Sequence, residues 1–194
     1  MLDKTFWDSR YINKKTGWDI GYPSTPLTNF IDTLNNKQLS ILIPGCGRAY
    51  EAEYLFNKGF DNLTLIDISP TALNEFSKRL PTFPKDKIVV SDFFKHQGQY
   101  DLILEQTFFC AIDQKLRSSY VSHCHDLLKE NGRIVGLLFA EEFGNDHPPF
   151  GGTKDEYQGL FYEYFDIEKM EISKASIQAR QDRELFISFK KKKL

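Results

Sequence analysis

The chain has 194 residues, 41% of them hydrophobic and 27% charged, with 25 basic against 27 acidic side chains and a formal net charge of −2. That length suits one domain, residues 1–194, and the balance leaves no basic surplus to neutralise phosphates, so nucleic acid is not an expected partner. No run of about eighteen apolar residues is present, which argues against a membrane span, and three cysteines without CxxC spacing point to a reducing, cytoplasmic setting.

In chain order, residues 4–14 and 26–36 read as helices, separated by a Gly- and Pro-punctuated loop from Thr16 to Pro23. Both tryptophans of the chain, Trp7 and Trp18, precede the first strand. Trp7 and Tyr11 are four apart, so a helix places them on one face. From residue 39 strand and helix signals alternate. Strands are predicted near 39–43, 62–66, 87–91, 100–105, 132–140, 166–173 and 183–190, and helices near 50–58, 70–79, 114–128 and 154–164. Ser69-Pro70 is a helix start, a capping serine followed by proline at the first position, and Asn131-Gly132 reads as a helix stop. This alternation implies βαβ units around a parallel sheet. The last two strands lack an intervening helix, which predicts a terminal hairpin and one antiparallel strand. Residues 92–99 are too few for a full helix and are expected to cross as a loop or short turn.

The first strand stops at Pro44-Gly45-Cys46-Gly47, and the second ends on Asp67, twenty residues after Gly47. A glycine turn after one strand and an acid after the next bring backbone amides and a carboxylate into one crevice, suited to a ligand with a nucleoside and a polar tail. A nicotinamide dinucleotide fold wants glycine or alanine at the last position of the hexad, where Tyr50 stands, so that reading is weakened. Asp67 offers two oxygens to ribose hydroxyls, and Asp92 can accept from an adenine amino group while Phe93 covers the ring. The fourth strand runs into Glu105, Gln106 and Thr107, candidates for the cofactor tail and the reacting centre. Trp7, Tyr11 and Trp18 offer faces that attract a cation. His123 and His125, two apart on a helix, diverge, so no metal site is expected; His147 lies in a loop that lines the pocket mouth.

These strings together resemble the class I S-adenosylmethionine-dependent methyltransferases, and within them the thiopurine S-methyltransferase family, closest in pattern to the thiol and halide methyltransferases. The resemblance rests on Phe6-Trp7, Thr16-Gly17-Trp18-Asp19, Leu42-Ile43-Pro44-Gly45-Cys46-Gly47, Ile66-Asp67-Ile68-Ser69, Phe108-Phe109-Cys110-Ala111-Ile112 and Pro148-Pro149-Phe150. It implies a doubly wound, mostly parallel seven-stranded sheet, Rossmann-like, with a C-terminal antiparallel strand and an N-terminal helical lid over residues 1–38. It further implies S-adenosylmethionine as cofactor, held by Trp7, Tyr11, Trp18, Gly45, Asp67, Asp92, Phe93 and Gln106. The acceptor it implies is a small thiol, sulfide, halide or thiopurine-like sulfur; the sequence leaves the oligomeric state open, with a monomer favoured. A small-molecule O- or N-methyltransferase, or a non-catalytic binder of the cofactor, is the alternative. Gln106 stands where tyrosine or arginine is common in the family, close to the transferred methyl, so it bears on substrate identity.

Overall fold

The computed structural model describes residues 2–193, which divide into two compact units, 2–96 and 97–193. The first unit contains α1 (Lys4–Ile12), α2 (Thr25–Ile31), β1 (Ile41–Pro44), α3 (Tyr50–Asn57), β2 (Leu63–Asp67), α4 (Pro70–Arg79) and β3 (Ile88–Val90). Its strands run in the order β3-β2-β1, all parallel, with Ile41 opposite Leu63 and Asp67 opposite Val90. Parallel strands packed on both faces need apolar side chains throughout, and all four residues of β1 are buried.

Helix α4 begins as its sequence predicts. The Ser69 hydroxyl accepts from the Ala72 amide at 3.2 Å, and Pro70 fills the first turn. The two N-terminal helices are shorter than expected. Lys14 turns α1 off with φ of +55°. Helix α2 ends at Ile31 because its polar residues bond elsewhere: Asp32 accepts from the Tyr54 hydroxyl at 2.9 Å, and Asn36 accepts from the Gln38 amide at 3.0 Å. The connection after β3 is a 3-10 turn over Phe93–Lys95, as its length required.

The second unit contains β4 (Tyr100–Gln106), α5 (Arg117–Leu127), β5 (Leu128–Phe139), α6 (Lys154–Phe161), β6 (Phe165–Ile172) and β7 (Glu184–Lys191). Here the order is β4-β5-β7-β6. Strand β5 runs parallel to β4, while β7 is antiparallel to both β5 and β6, giving the predicted terminal hairpin. One boundary differs. Asn131-Gly132 does not stop the helix, which ends at Leu127 and passes directly into β5. The pair forms a bulge within the strand instead: Asn131 has φ of +64°, and the β4–β5 register slips between Tyr100 and Leu102. A side chain at Gly132 would meet the Tyr100 carbonyl at 3.0 Å, so strand pairing uses the same residue chemistry that a helix cap would. Helix α5 also starts later than predicted, after a 3-10 turn over Gln114–Leu116 capped by Asp113. His125, on α5, is buried, with Nε2 3.0 Å from the Lys192 carbonyl and its ring against Tyr164 and Phe165. No helix of the described residues is long and apolar enough to cross a membrane.

Candidate functional site

Beyond β1 the backbone enters the left-handed region at alternate residues, Gly45 (φ +54°), Gly47 (φ +53°) and Ala49 (φ +53°), before α3 begins. Asp67, at the end of β2, holds this turn in place. One carboxylate oxygen accepts from the Gly47 amide and the other from the Ser69 amide, both at 2.8 Å. Burial raises the Asp67 pKa above the usual carboxylate range, although the amides of Ser69 and Gly47 pull the other way by favouring the charged form. Against three backbone amides, those of Ser69, Gly47 and Ile68, the two oxygens carry four lone pairs, so the side chain can shape the turn and still accept from a ligand. The Ser91 amide donates to the Asp67 carbonyl at 3.1 Å and draws the end of β3 alongside. There Asp92 caps its own 3-10 turn, accepting from the Phe94 amide at 3.0 Å, and Phe93 is buried at 4% exposure.

The N-terminal segment packs on the same edge. Trp18 stands edge-on to both Trp7 (ring centroids 5.6 Å apart) and Tyr11 (5.8 Å), and its indole bonds the Tyr11 hydroxyl. That hydroxyl abuts the turn: a Cβ at Gly47 would lie 2.7 Å from it. Helix α1 is tied down through Asp8, which accepts from the Ser69 hydroxyl at 2.6 Å and the Thr71 amide at 2.9 Å, at the start of α4. Further on, the Ser24 amide donates to the buried Glu51 carboxylate at 2.8 Å. Trp7, Tyr11, Trp18, Gly45, Asp67, Asp92 and Phe93 are thus all carried by the first unit, with Gly45, Asp67 and Asp92 at the carboxyl ends of its three strands.

Gln106 belongs to the second unit, as the last residue of β4. Its Oε1 is buried without a hydrogen-bond partner, and Thr107 beside it has φ of +57°, a conformation uncommon for a β-branched residue. An orphaned polar atom next to a strained backbone, at the carboxyl end of a strand, marks a candidate ligand contact. Glu105 is employed differently. It is 1% exposed, and it accepts from the amides of Phe108 (2.8 Å) and Phe109 (2.9 Å) and from the Tyr120 hydroxyl (2.6 Å). Burial pushes its carboxyl up to about 7, even though these donors favour the ionised form. Its carboxyl holds the Phe108-Phe109 bend from inside the unit.

Sequence reasoning passed over Arg117. It is 2% exposed, paired with Glu156 at 2.6 Å, and donates to the carbonyls of Gly151 (2.8 Å) and Phe150 (3.2 Å). Since the Phe150 amide also donates to the Cys110 carbonyl at 2.7 Å, this arginine binds the Pro148-Pro149-Phe150 loop to the Phe108–Ile112 segment. His147 in that loop is exposed, its Nδ1 3.0 Å from the Pro148 carbonyl. Arg48, in the centre of the glycine turn, was also missed. Its partners Thr16 and Asp19 lie 32 and 29 positions earlier, so no local pattern signals its use.

A family model described as Thiopurine S-methyltransferase matches residues 2–193. Among curated proteins, the chain is 28% identical over 157 residues to a probable thiol methyltransferase 2 of Arabidopsis thaliana, covering 78% of this chain and 69% of that protein. It is 25% identical over 191 residues to thiocyanate methyltransferase 1 of Brassica oleracea, covering 95% and 84%. With the thiopurine S-methyltransferase of Aliivibrio salmonicida (strain LFI1238) the identity is 25% over 180 residues, 82% of this chain and 83% of that one. Among solved structures, it resembles the Burkholderia thailandensis 1,6-didemethyltoxoflavin-N1-methyltransferase with bound 1,6-didemethyltoxoflavin and S-adenosylhomocysteine, with a TM-score of 0.77 at 16% identity, covering 98% of this chain and 87% of that one. A TehB-like SAM-dependent methyltransferase from Corynebacterium glutamicum gives 0.70 at 19%, covering 97% and 98%. These likenesses show the fold, a class I methyltransferase fold with a doubly wound, mostly parallel seven-stranded sheet and an antiparallel C-terminal strand.

Proposed function

The chain belongs to the thiopurine S-methyltransferase family, and from that premise we propose that this S-adenosylmethionine-dependent methyltransferase acts on a small acceptor whose attacking atom is a soft sulfur. The observation that carries the choice of acceptor is the employment of Glu105. The carboxylate at the end of β4 is engaged by two amides and a tyrosine hydroxyl, leaving neutral Gln106 and Thr107 there. A nucleophile that meets no base at that position must supply its own reactive form. A thiol does so, because its free pKa of about 8.5 leaves part of it as thiolate near neutrality. Alcohols and amines depend more on a positioned base. The thiol and thiocyanate methyltransferases among the relatives support the same class.

The residues present fit the cofactor. The remaining acceptor capacity of the Asp67 oxygens would suit the ribose hydroxyls, and Asp92 with Phe93 the adenine amino group and ring face. Gly45 lets the turn approach the amino-acid tail. Trp7, Tyr11 and Trp18, which cluster in the N-terminal segment proposed as a lid, would offer aromatic faces that attract the charge of the sulfonium. Gln106, whose Oε1 is buried without a partner at the end of β4, is the residue of the second unit that would offer a polar contact to the cofactor. When bound, the cofactor supplies an electrophilic methyl on a cationic sulfur; this chain's part is to bind, align and exclude water, the main sources of advantage in such a transfer. We place the enzyme in the cytoplasm as a monomer without nucleic-acid partners, supported by free Cys46, Cys110 and Cys124 and by the net charge of −2.

A radiolabelled-methyl transfer screen over thiols, sulfide, halides, thiopurines, phenols and amines tests the proposal. Transfer to thiols or sulfide is expected; transfer confined to phenols or amines, with a rate limb from a protein base, would overturn it. Cofactor binding without turnover on any acceptor would favour a non-catalytic role. Substituting Asp67→Asn is expected to weaken S-adenosylmethionine binding about tenfold or more in titration calorimetry, because a charge-assisted bond to the ribose is lost.

A further inference from the structure

Arg48 sits between Gly47 and Ala49, both with φ of +53°. Its guanidinium reaches two separate elements. Nη1 donates to the Thr16 hydroxyl at 3.2 Å and is in ion-pair contact with the Asp19 carboxylate. Nε donates to Glu75 on α4 at 2.5 Å. Thr16 and Asp19 are the two ends of a four-residue turn, closed by the Asp19 amide donating to the Thr16 carbonyl at 3.0 Å, and Trp18 is its third residue. The turn is stiffened on its far side, where the other Asp19 oxygen accepts from the Gly21 amide at 2.7 Å. The Tyr50 hydroxyl also bonds Asp19, and the Arg48 guanidinium lies 5.6 Å from the Tyr11 ring centre.

From this geometry we infer that Arg48 is a positioning residue for methyl transfer. It grips both ends of the Thr16–Asp19 turn and thereby sets the Trp18 indole against Trp7 and Tyr11, whose hydroxyl abuts the glycine turn, acting on the cofactor through that indole. The inference rests on the proposed reading of this edge as the cofactor site. Two features suit Arg48 to the task. Its planar fork serves Nη1 and Nε partners in different directions at once, which a lysine ammonium at the end of a flexible stem does not reproduce. Its charge is matched by both Asp19 and Glu75, so the clamp adds no net positive charge beside a cationic sulfonium.

The test uses the full chain, with Arg48→Met, Arg48→Lys, Asp19→Asn and Thr16→Val variants whose folding is checked by circular dichroism. Trp7 and Trp18 are the two tryptophans of the chain, so tryptophan emission reports this cluster directly. With S-adenosylmethionine as probe, Arg48→Met and Asp19→Asn are expected to raise the dissociation constant and the cofactor KM about tenfold, the loss of one charge-assisted hydrogen bond. The acceptor KM should move less than twofold, and the cofactor-induced emission change should be at least halved. Arg48→Lys should recover part of the affinity, and the Arg48→Met/Asp19→Asn double variant should be no weaker than Arg48→Met alone. Should Arg48→Met fail to fold, Asp19→Asn and Thr16→Val carry the test, because they leave the Arg48–Glu75 pair intact. Folded variants with cofactor affinity within twofold of the parent and unchanged emission would overturn the inference alone. A parent chain that binds no S-adenosylmethionine would overturn the cofactor reading as well.

Discussion

Glu105 gives the sharpest test of how the second unit is held together. Its carboxyl titrates near 7 when folded against 4.5 for the free side chain, because it lies at 1% exposure. A carboxyl raised in this way is a stabilising contribution present in full below about pH 4.5 and lost as pH rises through about 7, the reverse of a salt-bridged acid. The shift of roughly 2.5 units corresponds to about 3 kcal/mol in all, of which ~2 kcal/mol falls between pH 5.5 and 7.5. Glu105→Gln keeps the shape and an acceptor for the Phe108 and Phe109 amides but does not ionise. Urea unfolding followed by circular dichroism at several pH values should therefore show the parent losing about 2 kcal/mol relative to the variant on going from pH 5.5 to 7.5. Parallel stability profiles for the two proteins would refute the assignment of a buried, raised carboxyl at this position.

Three further outcomes follow from named contacts. Gly47→Ala places a methyl 2.7 Å from the Tyr11 hydroxyl on a backbone with φ of +53°, and should cost about 1–2 kcal/mol and weaken cofactor binding together, readable from urea midpoints and calorimetry. Arg117→Met removes the 2.6 Å pair to Glu156 and orphans the Phe150 and Gly151 carbonyls; an expected loss of about 2–4 kcal/mol, with faster proteolysis between 140 and 153, would be absent if the arginine were merely lodged there. Gly151→Ala would set a carbon 1.6 Å from the Glu141 carbonyl oxygen, so the loop must move, and a thermal midpoint equal to that of the parent would contradict this packing.

What the sequence determined by itself was everything that depends on neighbours in the chain. The apolar runs of β1 and β2, the Ser69-Pro70 cap, the glycine turn and the acid twenty residues beyond Gly47 are periodic or local signals, and the structure places Asp67 on the Gly47 amide as that spacing required. Local chemistry was also legible where the element was misread: Asn131 does adopt a positive φ, but pairing of β5 with β4 turned a predicted helix stop into a bulge. Tertiary structure alone decided how polar side chains were spent. Nothing in the residues around Glu105 announces that Tyr120 and two amides will occupy it, nor that Asp8 will reach Ser69 on another helix, 61 positions away. The glycine turn itself was readable, yet the use of its residue Arg48 to hold Thr16 and Asp19, 32 and 29 positions earlier, was not. Such bonds join isolated polar residues over long separations and carry no periodicity, so they exist as information once the chain has folded.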